Sequence, residues 1–306
     1  MPHAHSPRMP VPTRTAEGAH CGVARGHRAL VGVILASGIA TAMPLSRAVA
    51  QVPFTVVADS ARLAPAPDVR IAYGADPEQF VELRVPTGGR RHPVVMLIHG
   101  GCWLSQYDVS HLAAAAESLR QQGVATWAVE YRRAGHAGGG DPGSFDDIRA
   151  AYDLLIAQGR ARHLDRSRIV LMGHSAGGHL ALWLASEPGV KVRGTVGLAA
   201  VTDPASFAQP TGCGAGITRF MGGAPQALAE AYAARSPVAR AAPRTNVILL
   251  AARDDRIVPK SQVDAYLSRF PGTVTKEVPG GHFDLVAPWT EAWRAVRAEL
   301  ETLLRR

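Results

Sequence analysis

A serine between two glycines is the residue of this sequence best suited to chemistry. Residues 171–182 read LMGHSAGGHLAL, in which Gly173, Ser175 and Gly177 form the pattern Gly-x-Ser-x-Gly. Between an apolar strand and a helix, this pattern predicts a sharp turn that exposes the serine hydroxyl at its apex. The competing interpretation is an ordinary helix N-cap, a position at which serine is common. Ser175 is therefore a candidate nucleophile that needs support from other residues.

That support is a base and a carboxylate further along the chain. A serine hydroxyl is a poor nucleophile at neutral pH, so it needs a histidine base, and the histidine needs an orienting acid. Asp254 and Asp255 follow a late apolar segment, and His282 lies in the glycine-rich sequence GGHFDL after the last predicted strand. Taken singly, these are ordinary turn and loop residues. In the order serine, acid, histidine they predict a catalytic triad with either aspartate as the acid.

Hydrolysis also needs donors for a developing oxyanion. The sequence HGGCW at residues 99–103 follows a buried apolar strand. Its glycines allow backbone N–H groups to point into a site, so we predict an oxyanion hole formed by Gly100, Gly101 and Cys102 together with Ala176. The alternative for this segment is a glycine-rich turn without a catalytic role.

Two further residues are candidates for substrate contact, namely Trp103 and His174. His174 and His179 are five residues apart, which is not a helical metal-ligand spacing, and neither His-Glu-x-x-His nor Cys-x-x-Cys occurs in the chain. We therefore predict that the protein uses neither a metal nor another cofactor.

The elements that must position these residues alternate along the chain. Apolar segments predict strands at 69–74, 80–86, 93–101, 124–131, 168–175, 192–200, 246–255 and 273–282. Between and after them, helices are predicted at 111–123, from a cap at Ser144, at 179–185, and in a last segment whose apolar face runs from Trp289 to Leu303. This alternation indicates an α/β fold with a mostly parallel sheet covered on both faces. Residues 203–244 interrupt it and are predicted to be a small insertion that lines the pocket.

The N-terminus has the pattern of a targeting segment. Basic residues up to Arg28 precede an apolar run at 29–45, and Ala48-Val49-Ala50 forms a small-x-small site before Gln51. This layout predicts a signal peptide and export to the periplasm or the exterior, with no stable membrane span after its removal. An uncleaved anchor is the alternative. The predicted organisation is a signal peptide at 1–50, a linker at 51–64 and a catalytic domain at 65–306.

Composition excludes several other classes of protein. The 306 residues are 47% hydrophobic and 19% charged, which is ordinary for a globular chain. The net charge is +8, but no Lys/Arg run is present, so we predict no nucleic-acid partner. Cys21 lies in the predicted signal peptide. Export would permit a disulfide between Cys102 and Cys213, although two cysteines alone do not establish one, and the oligomeric state is left open.

Together these motifs resemble the α/β-hydrolase superfamily over residues 65–305. More narrowly, they resemble the branch with His-Gly-Gly-x-Trp and Gly-His-Ser-Ala-Gly-Gly-His, which holds hormone-sensitive-lipase-like esterases, feruloyl and acetyl esterases, and kynurenine formamidases. In that branch the acid lies four residues before the proline of an Asp-x-x-Val-Pro stretch. Residues 255–259 fit this stretch, so the resemblance favours Asp255 over Asp254.

The sequence departs from this pattern at two positions. Hormone-sensitive-lipase-like members usually have glycine where this chain has Cys102 and an acidic residue where it has His174. We expect a serine hydrolase that cleaves a small-molecule carboxylic ester through an acyl-enzyme. The alternatives are an amidase of the arylformamidase or prolyl-oligopeptidase-like type and a non-catalytic binding protein on the same scaffold.

Overall fold

The computed structural model describes residues 51–89 and 91–305. The predicted signal peptide, with Cys21 and the proposed cleavage site, lies outside the described residues. The strands are β1 (Val69–Ala72), β2 (Phe80–Arg84), β3 (His92–Ile98), β4 (Ala125–Val129), β5 (Leu164–His174), β6 (Gly194–Leu198), β7 (Asn246–Ala252) and β8 (Val274–Val278). The helices are α1 (Phe54–Leu63), α2 (Ala113–Arg120), α3 (Gly143–Gln158), α4 (Ala176–Ala185), α5 (Pro204–Phe207), α6 (Gly212–Met221), α7 (Ala229–Arg235), α8 (Ser261–Arg269) and α9 (Glu291–Arg305).

The strands form one sheet in the order β1-β2-β4-β3-β5-β6-β7-β8. β1 pairs with β2 and β2 with β4 in antiparallel fashion, and every later neighbour is parallel. This confirms the predicted α/β fold with a mostly parallel sheet. The carboxyl ends of β3, β5, β6, β7 and β8 consequently share one edge, where ligands bind in open sheets of this kind.

Hydrophobic cores lie on both faces of the sheet, because side chains alternate along each strand. On β3, Val94, Met96 and Ile98 face the core that also contains Phe145 of α3 and Leu180 of α4. The intervening Val95 and Leu97 face the core that contains Leu119 of α2 and Trp293 of α9. Coverage on both sides explains why the central strands are continuous apolar runs.

The predicted insertion is present between β6 and β7 and consists of α5, α6 and α7. α6 packs directly on the loop after β3, since a Cβ added to Gly216 would lie 2.5 Å from the Cys102 carbonyl oxygen. A disulfide between Cys102 and Cys213 joins the same two segments. The insertion is therefore attached covalently to the HGGCW loop.

Three local expectations differ from the structure. The segment predicted as a linker, 51–64, contains α1, because Val57 is fully buried in the core and anchors that helix. Ser144 is the second residue of α3 rather than its cap, and its hydroxyl contacts the Arg132 carbonyl oxygen. Trp289 precedes α9 and is half exposed.

Among residues 51–89 and 91–305, none of the helices combines the length and the apolar character that crossing a membrane requires.

α4, the helix after Ser175, is buried along its whole length, including its one titratable side chain. Burial lowers the pKa of His179 to about 4. The ring Nε2 donates to the Arg235 carbonyl oxygen at 2.8 Å, so the imidazole is held neutral with its proton on Nε2. A neutral buried histidine makes stability depend on pH, because the unfolded chain binds a proton that the folded chain resists.

We predict that the protein loses stability as the pH falls from 6.5 toward 4, the interval between the ordinary and the folded-state pKa of His179. One such histidine contributes a slope of about 1.4 kcal/mol per pH unit. A His179→Gln variant retains an N–H donor for Arg235 but takes up no proton. Its urea midpoint should therefore fall less across this interval than that of the wild type, and equal slopes would contradict a neutral His179.

Candidate active site

Ser175 lies at the turn between β5 and α4, in a backbone conformation that non-glycine residues rarely adopt. Its φ is 56° and its ψ is −120°. Its N–H donates to the Leu198 carbonyl oxygen at 2.8 Å. Although Ser175 occupies the N-cap position of α4, its side chain makes no capping hydrogen bond. The hydroxyl is therefore not used to satisfy the helix.

The glycines of the pentapeptide are needed because backbones meet at this turn. A Cβ at Gly173 would lie 2.0 Å from the Gly177 carbonyl oxygen, and one at Gly177 would lie 2.1 Å from the Ile98 carbonyl oxygen. Real Cβ atoms do not approach other atoms so closely, and backbone atoms have little freedom to give way. Any side chain at either position would therefore separate α4 from β5 or from β3.

His282 and Asp255 come together at the ends of β8 and β7. The distance from His282 Nδ1 to Asp255 Oδ2 is 2.7 Å, and both side chains are 5% exposed. The other carboxylate oxygen of Asp255 accepts from the N–H groups of Ile257 and Val258 at 2.8 and 2.9 Å. Asp254, the alternative acid, is exposed. A carboxylate at Nδ1 places the ring proton there and leaves Nε2 able to accept one.

The HGGCW loop has three consecutive residues with positive φ: 109° at Gly101, 54° at Cys102 and 58° at Trp103. Its turns are fixed by Leu104 N–H donating to the Gly101 carbonyl at 3.0 Å and by Ala134 N–H donating to the Trp103 carbonyl at 2.9 Å. Within the described part of the chain, no hydrogen bond has the N–H of Gly101 or Cys102 as its donor. These two groups are therefore open to a ligand.

The other two predicted donors lie against Ser175. A Cβ at Gly100 would lie 3.0 Å from Ser175 Cβ, so this part of the loop packs on the serine turn. Ala176 is the first residue of α4, where helix N–H groups lack intrahelical partners and carry partial positive charge. The structure thus brings all four predicted oxyanion residues close to the candidate nucleophile.

A buried ionic cluster, which belongs to none of the catalytic motifs of the sequence, packs against the HGGCW loop. Glu130 Oε1 lies 3.0 Å from His99 Nε2, Oε2 accepts from the Val109 N–H at 2.9 Å, and the carboxylate contacts the Arg133 guanidinium. Tyr131 OH donates to the His99 carbonyl oxygen at 3.0 Å. Burial alone would raise the pKa of Glu130, but the neighbouring His99 and Arg133 side chains and the Val109 N–H outweigh it and lower the pKa. The carboxylate therefore stays ionised beneath the loop.

A cavity of about 790 Å³ opens above Ser175 and His282. Part of its lining is aromatic and part is polar. The aromatic residues are Phe54, Tyr107, His111, Phe207 and Phe283, and the polar ones include Gln106, Gln209, Thr211, Ser261 and Gln262. Its size is that of a typical small-molecule site. Phe207 and Cys213 belong to the insertion, as expected for a segment that lines the pocket.

The two candidate substrate contacts behave differently. Trp103 is 1% exposed and packs edge-on against His179 and Phe207, so its ring belongs to the core and does not line the cavity. Positive φ values turn the loop so that this side chain points inward. His174 does line the cavity, and its Nε2 donates to the His282 carbonyl oxygen at 3.0 Å. Burial and the nearby His282 hold the pKa of His174 well below its ordinary value.

Among the described residues, no group of three His, Cys, Asp or Glu side chains is placed to hold an ion. The groups gathered at this site are a hydroxyl, an imidazole, a carboxylate and backbone N–H groups.

Known proteins share this arrangement of elements. A truncated carbohydrate esterase from gut microbiota matches with a TM-score of 0.68 and 16% identity, over 79% of this chain and 98% of its own. Esterase B from Lactobacillus rhamnosis (HN001) matches with a TM-score of 0.66 and 22% identity, over 81% of this chain and 90% of its own. At these identities the likeness shows a common fold.

Sequence comparison is consistent with the structural matches. The chain is 26% identical to probable carboxylesterase 5 of Arabidopsis thaliana in an alignment of 135 residues that covers 39% of this chain and 42% of that protein. The chain thus matches less than half the length of this relative. The BD-FAE family model matches residues 82–269, more than half of the chain. The chain therefore belongs to the BD-FAE family, within the α/β-hydrolase superfamily.

Proposed function

We propose that the protein is a serine esterase in which Ser175 is the nucleophile, His282 the base and Asp255 the orienting acid. The observation that carries the proposal is the 2.7 Å contact between His282 Nδ1 and Asp255 Oδ2 beside a cavity that Ser175 and His282 both line. The family match and the esterase names of its relatives support ester hydrolysis as the reaction.

The proposed reaction proceeds through an acyl-enzyme. His282 Nε2 removes the proton of Ser175 Oγ as the oxygen attacks the ester carbonyl carbon. The same nitrogen then gives this proton to the departing alkoxide, which leaves as the alcohol. In the second half, water attacks the acyl carbon, His282 accepts the proton of that water, and returning it to Oγ releases the carboxylic acid. Asp255 stabilises the imidazolium formed in each half.

The oxyanion of each tetrahedral intermediate would accept hydrogen bonds from the N–H groups of Gly101, Cys102 and Ala176. Removing one such donor typically costs about 3–4 kcal/mol of transition-state stabilisation. Gly100 contributes through close packing of the loop on the Ser175 turn. The unusual φ values of Gly101 and Cys102 are consistent with this role, since strained backbone is common at active sites.

A fluorophosphonate probe tests the nucleophile. The wild type should be labelled at Ser175 and should hydrolyse short p-nitrophenyl esters. The Ser175→Ala variant should lose labelling and at least about a thousandfold in kcat. A folded wild type that is not labelled would favour a non-catalytic binding protein. Faster turnover of N-formylkynurenine or a prolyl amide than of any ester would favour an amidase.

The neighbouring aspartates provide a matched pair for the acid. Asp255→Asn should lower kcat by about 10³- to 10⁴-fold, because an amide neither stabilises the imidazolium nor favours the required tautomer. Asp254→Asn removes an identical charge one residue away, on an exposed side chain, and should change kcat by less than about twofold. Equal losses in the two variants would overturn the assignment of Asp255.

The disulfide should contribute to catalysis, because it attaches a proposed oxyanion donor to α6. Cys213→Ser keeps the backbone of Cys102 but cuts this attachment, so kcat should fall by about tenfold or more, with a smaller change in KM. Dithiothreitol should lower the kcat of the wild type toward that of Cys213→Ser and should leave the kcat of the variant unchanged. Full activity of the reduced wild type would show that the bond has no such role.

A further inference from the structure

The residues immediately before α1 contact both loops that carry the proposed acid and base. Gln51 Nε2 donates to the Asp254 carbonyl oxygen at 3.0 Å, and the N–H of Val52 donates to Asp284 Oδ2 at 3.0 Å. Asp254 is adjacent to Asp255, and Asp284 is two residues after His282. More than 200 residues of chain separate the partners of each hydrogen bond. No catalytic motif of the sequence includes Gln51 or Val52.

Asp284 is the point at which this contact reaches the histidine loop. Its side chain is 2% exposed, and Oδ2 also accepts from the Gly281 N–H at 2.9 Å. Gly280 has a φ of 104°, and a Cβ there would lie 2.7 Å from the Asp284 carboxylate. One buried oxygen thus holds the turn before His282 and the N–H of Val52 together. A buried carboxylate that lost either donor would be incompletely hydrogen-bonded, which is costly.

Phe54 continues this contact into the cavity. Its ring lies 5.3 Å from that of Tyr107, 5.8 Å from that of His111 and 5.5 Å from that of Phe283, measured between centroids. The Phe283 ring is in turn 5.0 Å from the ring of His282. Burial lowers the pKa of His111 to about 3, so this part of the lining is uncharged. Phe54 therefore completes an apolar wall beside the proposed base.

We propose that residues 51–54, the N-terminal clamp, form part of the active site. Gln51 and Val52 are positioning residues that hold the Asp255 and His282 loops at a fixed distance from each other. Phe54 is a specificity-determining residue that forms a wall for the apolar part of the substrate. Val57, fully buried one turn further on, anchors the clamp to the core. The catalytic part of this proposal rests on the proposed function.

A double-mutant cycle in the full chain tests the positioning role. Val52→Pro removes the N–H, and Asp284→Ala removes the oxygen that accepts from Val52 and Gly281. Each single variant should lower kcat and the rate of fluorophosphonate labelling by about tenfold, since small displacements of a base are costly. The double variant should be little worse than Asp284→Ala alone, because that variant has already lost the acceptor for Val52. Gln51→Ala should lower both rates to a smaller degree.

The role of Phe54 is tested by comparing KM for two esters that differ in the length of the acyl chain. Phe54→Ala should raise KM for p-nitrophenyl hexanoate by about tenfold, and for the acetate by less, because the lost wall contacts the longer chain. Phe54→Tyr should restore most of the loss. Val56→Ala, on the exposed side of the same helix, is the matched control and should leave the KM values for both esters unchanged.

The outcomes separate the clamp from the function on which it depends. If the wild type neither turns over esters nor reacts with the probe, the proposed function fails. The clamp is then judged by hydrogen exchange, which should be faster at residues 280–286 in Val52→Pro than in Val56→Ala. Val52→Pro and Gln51→Ala with wild-type rates and wild-type exchange would overturn the positioning role. An unchanged KM for the hexanoate in Phe54→Ala would overturn the proposal that Phe54 forms a wall of the substrate site.

Discussion

The close approach of α4 to the end of β3 sets the geometry on which the whole site depends. Gly177 lies where any Cβ would be within 2.1 Å of the Ile98 carbonyl oxygen and 2.5 Å of the His99 carbonyl oxygen. His99 begins the HGGCW loop, and Gly177 belongs to the Ser175 turn. One backbone contact therefore fixes both the candidate nucleophile and the candidate oxyanion donors. Because this contact involves no flexible side chain, the distance between them has little room to vary.

A second constraint is the burial of charge beneath the same loop. Glu130 and Arg133 are 2% and 1% exposed, and removing two charges from water is costly unless each is fully paired. Glu130 contacts His99 and Arg133 and accepts from two backbone N–H groups, so this carboxylate connects the HGGCW loop to the segments that carry Val109 and Tyr131. A displacement of the loop that separated Glu130 from these partners would leave a buried charge incompletely paired, which is costly.

Chain order and strand ends were enough to predict the parallel sheet, the insertion and the residues that gather at its edge. They did not separate Asp254 from Asp255, because neighbouring residues in a turn point in different directions that only the backbone of 255–258 defines. The burial of the Trp103 ring in the core could not be predicted, because positive φ values inside the HGGCW loop leave no periodic signal. α1 was missed, because its partners lie far away in the chain and a few apolar residues mark it only weakly.

The same reasoning explains why the cavity is built from distant segments. A parallel sheet presents its catalytic residues at an open edge, and the loops that carry them are too short to enclose a substrate of several atoms. The chain encloses this edge with α6, attached through Cys213, and with Phe54, attached through the hydrogen bonds of Val52 and Gln51. Both segments are fastened to loops that carry proposed catalytic groups as well as to the core. The proposed substrate contacts and the proposed catalytic groups therefore share the same attachments, so substitutions in the cavity walls should alter kcat as well as KM.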